Sequence, residues 1–170
     1  MADRVDSSAC FERIVRDYGP ALARLAATYA RGNADQHDLL QEIWVAIWRA
    51  LSRFRGESSE RTFVFRIAHN RGITFSTRQR REPRGELEDL ADSSPDPASA
   101  LALSHRHDRL MVAVRQLAQP HRQAVMLYLE GFSNRQIAEV QGATENNVAV
   151  RLTRARKELR EILGEVGDEA

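Results

Sequence analysis

The sequence is poor in residues that support covalent cross-links or passage through a membrane. Cys10 is the only cysteine in 170 residues, which excludes an internal disulfide and a thiolate metal cluster. Its place beside Phe11, at the start of an apolar-periodic segment, favours a packing role over redox sensing. No apolar run approaches the roughly 20 residues of a membrane helix, and residues 1–15 lack the apolar stretch of a secretory signal. We therefore expect the protein to stay in the cytoplasm.

Lysine is almost absent, and the arginines are unevenly distributed. Lys157 is the only lysine among the 25 lysine and arginine residues. Residues 52–84 hold nine arginines against three acids, whereas residues 85–99 hold five acids and no basic residue. A basic block beside an acidic one predicts a polyanion-binding surface next to a solvated linker. An ordinary charged face has a similar composition, and a GC-rich genome also favours arginine over lysine.

Residues that could serve as metal ligands or catalysts do not form a convincing set. His105 and His107 lie two positions apart on a predicted helix, so their side chains diverge. His37 and Asp38 lie near Glu42, but the sequence has no phosphate-cradling glycine loop and no nucleophile arrangement. We expect no cofactor, no metal and no catalytic activity.

Apolar periodicity predicts an all-α protein with two small helical lobes. In the first lobe we predict a helix over about 9–31, a second that starts from an N-cap at Asp35, and a third over about 60–81 that a serine caps. Trp44 and Trp48, on the wide apolar face of the second helix, are expected to be core residues. The third helix is predicted to bury Phe63, Val64, Ile67 and Ile73. Its other faces are predicted to carry Arg61, Arg66, His69, Asn70, Arg71, Arg78, Arg80 and Arg81.

A segment with few large apolar residues separates the two lobes. Residues 85–99 include Pro95 and Pro97, and they bury too little surface to offset their ordering entropy. We predict a flexible acidic linker there, between a first domain over 1–84 and a second over 100–170. Helical periodicity resumes after the linker, and Pro120 is placed in the first turn of a further helix.

The most informative pattern is a pair of short helices near the C-terminus. Ser133 and Gln136 form a capping box, Gly142 ends that helix, and Thr144 caps the next. This is the plan of a helix-turn-helix, whose second helix enters the DNA major groove. Asn and Arg at the exposed start of that helix suit adenine and guanine edges. The arginines and the lysine that follow suit phosphates. A plain helical hairpin within a bundle is the alternative.

Two stretches resemble one known family. The stretch that begins Leu117-Ala118-Gln119-Pro120, continues through Glu130-Gly131-Phe132-Ser133 and ends with residues 148–163 resembles region 4 of a bacterial sigma factor. Earlier segments resemble region 2 of the extracytoplasmic-function (ECF) sigma factors. They are Asp38-Leu39-Leu40-Gln41-Glu42, Trp44, Trp48-Arg49, Arg53-Phe54-Arg55-Gly56-Glu57-Ser58 and Arg66-Ile67-Ala68-His69-Asn70-Arg71. The two matches cover most of the chain, and their order, their spacing and the acidic linker agree with that group.

The resemblance implies a division of labour between the lobes. Region 2 would dock on the clamp helices of the largest subunit of core RNA polymerase and engage the minus-ten element. Region 4 would read the minus-35 element of promoter DNA and bind the polymerase flap. An anti-sigma factor is a further expected partner, and no direct membrane insertion is expected.

Carried over position by position, the resemblance assigns residues to three surfaces. Polymerase binding falls on Asp38, Gln41, Glu42 and Arg49. Binding of minus-ten DNA falls on Arg53, Arg55, Gly56, Glu57, Ser58, Asn70, Arg71, Arg78, Arg80 and Arg81. Binding of minus-35 DNA falls on Thr144, Glu145, Asn146, Asn147, Ala149, Val150, Arg151, Arg154 and Lys157.

The sequence departs from the family pattern at several of these positions. Phe63 stands where a tryptophan is common, and Thr74 replaces the usual aspartate after the Asn-Arg pair. Ala149 and Val150 occupy recognition-helix positions that are often Lys and Ser. These changes bear on promoter preference and not on the fold.

Two other functions would use parts of the same sequence. A free-standing helix-turn-helix regulator would bind operators as a dimer, but it has no use for region 2, and the sequence shows no ligand domain or dimerisation zipper. A polymerase-binding decoy would keep the region 2 surface without productive DNA contacts. The pattern favours a sigma factor that directs transcription initiation.

Overall fold

A computed structural model describes the backbone of residues 2–81 and 101–165 and the side chains of residues 8–81 and 109–164. The described residues form seven α-helices and no strand. The prediction of an all-α fold is therefore confirmed over these ranges. The predicted linker over 85–99 and the side chains of His105 and His107 lie outside them.

Three helices form the first lobe. They are α1 (Ala2–Ala27), α2 (Asn33–Leu51) and α3 (Glu60–Arg81). Their apolar stripes meet in a core that includes Ile14, Leu22, Leu39, Ile43, Ile47, Val64 and Phe65, all fully buried. Cys10 is half-buried and packs against this core, in agreement with a packing role.

The end of α1 and the start of α2 differ from the prediction. The helix α1 ends at Ala27. There the Thr28 hydroxyl donates to the Leu25 carbonyl at 2.7 Å, and the amides of Thr28 and Tyr29 donate to carbonyls three residues earlier, which is a tighter turn than that of an α-helix. The prediction of Asp35 as N-cap was wrong, since Gly32 holds that position in an extended conformation. Asp35 lies in the first turn of α2, where its carboxylate accepts from the Arg31 amide at 3.3 Å.

The expected core of α3 and the two tryptophans also need correction. Ile73 is 44% exposed, whereas Phe65 and His69, which were not assigned to the core, are buried. Trp44 is half-buried and packs against the core, but Trp48 is 44% exposed, and its ring makes an edge-on contact with Phe11. Phe65 and His69 are buried because the second lobe covers a face of α3 that a lone three-helix bundle would leave in water.

Four helices form the second lobe. They are α4 (Leu101–Gln116), α5 (Gln119–Leu129), α6 (Asn134–Gln141) and α7 (Glu145–Glu165). Pro120 lies in the first turn of α5 as predicted. The core of this lobe includes Leu117, Met126, Leu127, Ile137, Val148, Leu152 and Ala155. In α7 the spacing of the last three places one apolar stripe on the helix.

The two lobes pack against each other. Helices α1 and α3 contact α5 and α6, and the buried apolar residues of both lobes form one continuous cluster. Gly72 lies at a close approach inside the first lobe, where a β-carbon would stand 2.5 Å from the ring of Tyr29. Among the described residues, no helix is long and apolar enough to span a membrane.

Candidate functional site

The outward face of α2 forms one side of an open groove of about 530 Å³. All four predicted polymerase-binding residues line it: Asp38, Gln41, Glu42 and Arg49. The spacing i, i+3 and i+4 puts them on one helical face. Arg71 and Arg78 of α3 line the opposite side, and the Arg78 guanidinium lies 2.8 Å from the Glu42 carboxylate. The α2 face and the basic face of α3 are therefore one continuous surface.

The turn between α2 and α3 presents a polar loop to solvent. Gly56 has a φ of 76°, a conformation that favours glycine. Beneath the loop, the Phe54 ring packs on Phe63 with centroids 4.6 Å apart. The predicted minus-ten residues Arg53, Arg55, Gly56 and Glu57 are exposed, and Ser58 is half-buried. The aromatic pair anchors the loop while its charged groups stay accessible.

The solvent-facing side of α3 carries the remaining predicted minus-ten residues. Asn70, Arg71, Arg78, Arg80 and Arg81 are all exposed. A second open groove of about 430 Å³ runs along this side, lined by Ile73, Thr74, Thr77, Arg78 and Arg81. The Thr74 and Thr77 hydroxyls donate to the carbonyls four residues earlier, at 3.0 and 2.8 Å. Because both hydroxyl protons are used in bonds to the backbone, the polar character of the groove comes mainly from its arginines.

Local capping bonds build the helix-turn-helix as the sequence predicts. The Gln136 amide donates to the Ser133 hydroxyl at 3.3 Å, and the Ser133 amide donates to the Gln136 side chain at 2.9 Å. Gly142 ends α6 with a φ of 61°. The Thr144 hydroxyl then accepts from the Asn147 amide at 3.2 Å, which caps α7. These three bonds satisfy amides that helix ends leave unpaired.

The predicted minus-35 residues divide into an exposed group and a less accessible pair. The exposed group comprises Thr144, Glu145, Asn146, Asn147, Val150, Arg154 and Lys157. Ala149 is half-buried, and so is Arg151, which was expected to point outward. The Arg151 Nη1 donates to Gln141 Oε1 at 2.8 Å, because the second turn of α7 brings Arg151 to the end of α6. Gln141 is thus a contact of the recognition helix that sequence reasoning missed.

A buried tyrosine–histidine pair supports α3 from behind. The Tyr29 hydroxyl and the His69 Nδ1 are hydrogen-bonded at 2.5 Å, and both residues are nearly inaccessible to solvent. Burial and the positive charge of Arg151 lower the pKa of His69 to about 4. Burial also raises the pKa of Tyr29. Both groups are therefore neutral near pH 7. The sequence placed His69 on a polar face, and it contains no local signal for this pairing.

We expect the stability of the protein to fall as the pH drops from about 6.5 to 4. An unfolded histidine takes up a proton near pH 6.5, whereas folded His69 resists protonation until about pH 4, so in this window the unfolded state binds more protons. The slope for one such group is at most about 1.4 kcal/mol per pH unit. Chemical denaturation at several pH values measures it. His69→Gln should remove this part of the slope, and an unchanged slope in that variant would contradict the assignment.

Apolar side chains are also exposed at the end of α5. Tyr128 and Leu129 at the end of α5 are exposed, and the Arg156 guanidinium lies 5.3 Å from the centroid of the Tyr128 ring. Among the side chains that the structure describes, those of residues 8–81 and 109–164, no three from histidine, cysteine or carboxylate residues lie together as metal ligands would.

Known proteins resemble this chain over most of its length. The ECF RNA polymerase sigma factor SigM of Mycobacterium tuberculosis strain H37Rv is 28% identical over 157 residues, which are 91% of this chain and 77% of that protein. The ECF RNA polymerase sigma-E factor of Haemophilus influenzae is 29% identical over 160 residues, which cover 86% and 84% of the two chains. Among solved structures, the sigma factor RpoE of Bartonella quintana, in complex with the anti-sigma factor NepR, has a TM-score of 0.74 at 21% identity. The match covers 91% of this chain and 96% of the RpoE chain. CnrH, in complex with the cytosolic domain of CnrY, has a TM-score of 0.67 at 24% identity over 97% and 99% of the two chains.

An arginine-rich helical lobe followed by a capped helix-turn-helix defines a two-lobed, all-α DNA-binding protein. The family models Sigma-70 region 2 and Sigma-70, region 4 match residues 14–82 and 107–159. The chain belongs to the ECF group of the sigma-70 family, the RNA polymerase sigma factors that direct transcription initiation.

Proposed function

We propose that the first lobe docks on the clamp helices of the largest polymerase subunit and engages the minus-ten element, while the second lobe binds the flap and reads the minus-35 element. The observation that carries this proposal is the single groove lined by Asp38, Gln41, Glu42 and Arg49 on one side and by Arg71 and Arg78 on the other. A clamp helix bound on the α2 face would lie directly beside DNA held by α3. Polymerase and melted promoter would thus share one continuous surface.

The minus-ten surface would act by capture and by charge. Extruding a base from a duplex costs a few kcal/mol, so a protein that holds the extruded base stabilises open DNA without any covalent chemistry. The exposed loop around Gly56 has the position and polarity for that role. Arg71, Arg78 and Arg81 along α3 would meet phosphates and stack on bases of the single strand.

The minus-35 surface would combine specific and non-specific contacts. Asn146 and Asn147 at the exposed start of α7 can pair with adenine edges, and Arg151 with guanine. Arg154 and Lys157 lie further along the helix and would meet phosphates, which position the helix without specifying sequence.

Other roles follow from this assignment. A subunit that works on polymerase and chromosomal DNA acts in the cytoplasm, and it needs neither cofactor nor catalytic residues of its own. An anti-sigma factor is a further proposed partner, supported by the likeness of this chain to a sigma factor solved with one. The residues assigned to these roles fall within the proposed domains 1–84 and 100–170.

Run-off transcription tests the proposed function. The purified chain is added to bacterial core polymerase on a pool of promoter fragments from a high-GC genome. New transcripts that start at defined sites, and that are absent with core polymerase alone, are the expected result, and they also identify the promoter sequences. Tight binding to core polymerase without any transcript would favour a decoy instead.

Replacing both Gln41 and Glu42 with alanine should weaken binding to core polymerase about tenfold, the loss typical of a central contact pair. The reason is that both side chains line the proposed clamp-facing groove. Binding of the polymerase-free chain to minus-35 DNA should not change. Fluorescence anisotropy with labelled DNA, and surface plasmon resonance with core polymerase, give the two constants.

Glu12→Ala is the matched control for this prediction. Glu12 is an exposed acid on α1, outside the α2 groove. The Glu12→Ala substitution should leave the affinity for core polymerase unchanged. Equal losses in the control and in the double variant would refute a specific role for the α2 face.

A further inference from the structure

An apolar strip lies in the middle of the arginine-bearing face of α3. Ile73 is 44% exposed there, a large aliphatic side chain among charged and polar ones. It lines the open groove of about 430 Å³ together with Thr74, Thr77, Arg78 and Arg81. Ile73, Thr77 and Arg81 follow one another at four-residue steps, which places them on one side of the helix. The exposed isoleucine therefore belongs to a continuous strip along α3.

The two threonines of the groove contribute methyl groups to this strip. The Thr74 hydroxyl donates to the Asn70 carbonyl at 3.0 Å, and the Thr77 hydroxyl donates to the Ile73 carbonyl at 2.8 Å. A hydroxyl that turns back on the helix leaves the other substituent of the β-carbon, the methyl group, for the outer surface. Since both residues line the groove, their methyl groups form its wall beside Ile73. We call Ile73, Thr74 and Thr77 the methyl strip.

Positive charges border the methyl strip. Arg78 and Arg81 line the same groove, and the described residues that line it include no acid. The Arg78 guanidinium lies 2.8 Å from the Glu42 carboxylate and 5.0 Å from the centroid of the Phe75 ring, so its position beside the strip is defined. An apolar floor beside positive charges complements a polyanion that also carries apolar groups. DNA has this chemistry, because phosphates flank its bases.

Thymine is the DNA base that offers a methyl group to such a surface. Its C5 methyl lies in the major groove, where a helix can approach it, and the other three bases have no methyl group there. Alanine and threonine methyl groups make this contact in protein–DNA complexes. A base stacks on an aromatic ring or a guanidinium plane, whereas an aliphatic floor favours van der Waals contact with a methyl group. The chemistry of the strip therefore favours thymine.

We propose that Ile73 and Thr77, with Thr74 beside them, recognise a thymine of the minus-ten element through its C5 methyl group. The inference rests on the proposed function, because it assumes that α3 follows minus-ten DNA. It adds a contact that determines sequence preference to a helix whose arginines meet phosphates and stack on bases of any sequence. The phosphate contacts of Arg78 and Arg81 would fix the register of the DNA, and the methyl strip would select the base in that register.

Deoxyuridine substitution tests this recognition, because deoxyuridine pairs with adenine as thymidine does and lacks only the methyl group. A promoter found by run-off transcription is prepared with deoxyuridine in place of each minus-ten thymidine in turn, on one strand at a time. Fluorescence anisotropy gives the affinity of the polymerase–sigma complex for each duplex. At one position the wild-type complex should bind the deoxyuridine duplex about fourfold more weakly than the thymidine duplex, the loss expected for one methyl group.

Three variants separate the role of the methyl groups from that of the hydroxyl. Ile73→Ala and Thr77→Ser each remove aliphatic surface from the strip, so the preference for thymidine at that position should fall to about twofold or less. Thr77→Val removes the hydroxyl and keeps the methyl group, and it should retain the preference. A polar role for Thr77 predicts the opposite order, with Thr77→Ser retaining the preference and Thr77→Val losing it.

The matched controls are Val15→Ala on α1 and Thr153→Ser on α7. Val15 is an exposed aliphatic residue outside the groove. Thr153 is exposed, and its hydroxyl donates to the Ala149 carbonyl at 2.9 Å, the same kind of bond that Thr77 makes. Both variants should keep the wild-type preference for thymidine. Circular dichroism verifies that every variant keeps its helical content.

Three results would overturn the methyl contact. The first is equal affinity of the wild-type complex for the thymidine and deoxyuridine duplexes at every position. The second is a preference that survives both Ile73→Ala and Thr77→Ser. The third is weaker binding of core polymerase by these two variants, which would assign the strip to a protein contact. Failure of the proposed function would look different, because the wild-type chain would then give no promoter-specific transcript with either duplex, and the methyl contact would fall with it.

Discussion

Gly72→Ala should destabilise the protein by about 2 kcal/mol and lower the melting temperature by about 5 °C. Gly72 lies in the middle of α3, and an alanine β-carbon there would stand 2.5–2.6 Å from three atoms of the Tyr29 ring. The ring cannot retreat freely, because its hydroxyl is bonded to buried His69. This expectation opposes intrinsic propensity, which favours alanine over glycine within a helix by about 1 kcal/mol. Thermal and chemical denaturation monitored by circular dichroism measure the change.

Gly19→Ala is the matched control for that substitution. Gly19 is also within a helix, but its β-carbon would meet Trp44 at 3.9 Å, an ordinary contact. The helix propensity of alanine then acts against the constraint that Pro20 places on a β-carbon before it, and the variant should be about as stable as wild type. In a Tyr29→Ala background, Gly72→Ala should cost almost nothing, because the two sites are coupled through the ring. An undiminished cost there would show that the ring contact is not the cause.

Arg151→Ala should weaken binding of the polymerase–sigma complex to a promoter by about 1–3 kcal/mol, which corresponds to roughly five- to 150-fold. The loss should be concentrated at one base pair of the minus-35 element, because a bidentate arginine–guanine contact is specific to that base. Gln141→Ala should give a smaller loss at the same base pair, because the Gln141 oxygen holds one nitrogen of the Arg151 guanidinium. Binding titrations with a set of singly substituted promoters measure both effects.

Arg154→Ala provides the comparison for this prediction. Arg154 is exposed on the same helix one turn later, where a phosphate contact is proposed. Its loss should weaken all promoters about equally and reduce the salt dependence of binding. A uniform loss for Arg151→Ala as well would reassign Arg151 to the phosphate backbone.

The two predictions depend on different kinds of structural information. The conflict at Gly72 arises between α3 and Tyr29, which lies in the turn after α1 and is 43 residues away in the sequence, so no local pattern predicts it. The role of Arg151 could be proposed from its place in a helix-turn-helix, but its bond to Gln141 could not. That bond depends on the angle at which α6 and α7 meet.

Local chemistry made the helix-turn-helix predictable. Ser133, Gln136, Gly142 and Thr144 act on amides and carbonyls within three or four positions along the chain, so residue type and spacing suffice to place these helix ends. The α2 face was predictable for the same reason. Helical periodicity alone brings Asp38, Gln41, Glu42 and Arg49 to one side. The all-α fold follows from such periodicity repeated along the chain.

What the sequence by itself determined is thus the set of helices, their caps and the residues that share a helical face, because those depend on neighbours a few positions away. The tertiary structure decided which of these faces meet water. It buried His69 and Phe65 beneath a second lobe, left Ile73 and Trp48 exposed, and turned Arg151 toward Gln141. It also brought Glu130 to Arg24 and Arg61, across 106 and 69 residues of sequence. Burial and long-range ion pairs depend on which elements come together in space, and periodicity within one helix carries no information about its partner.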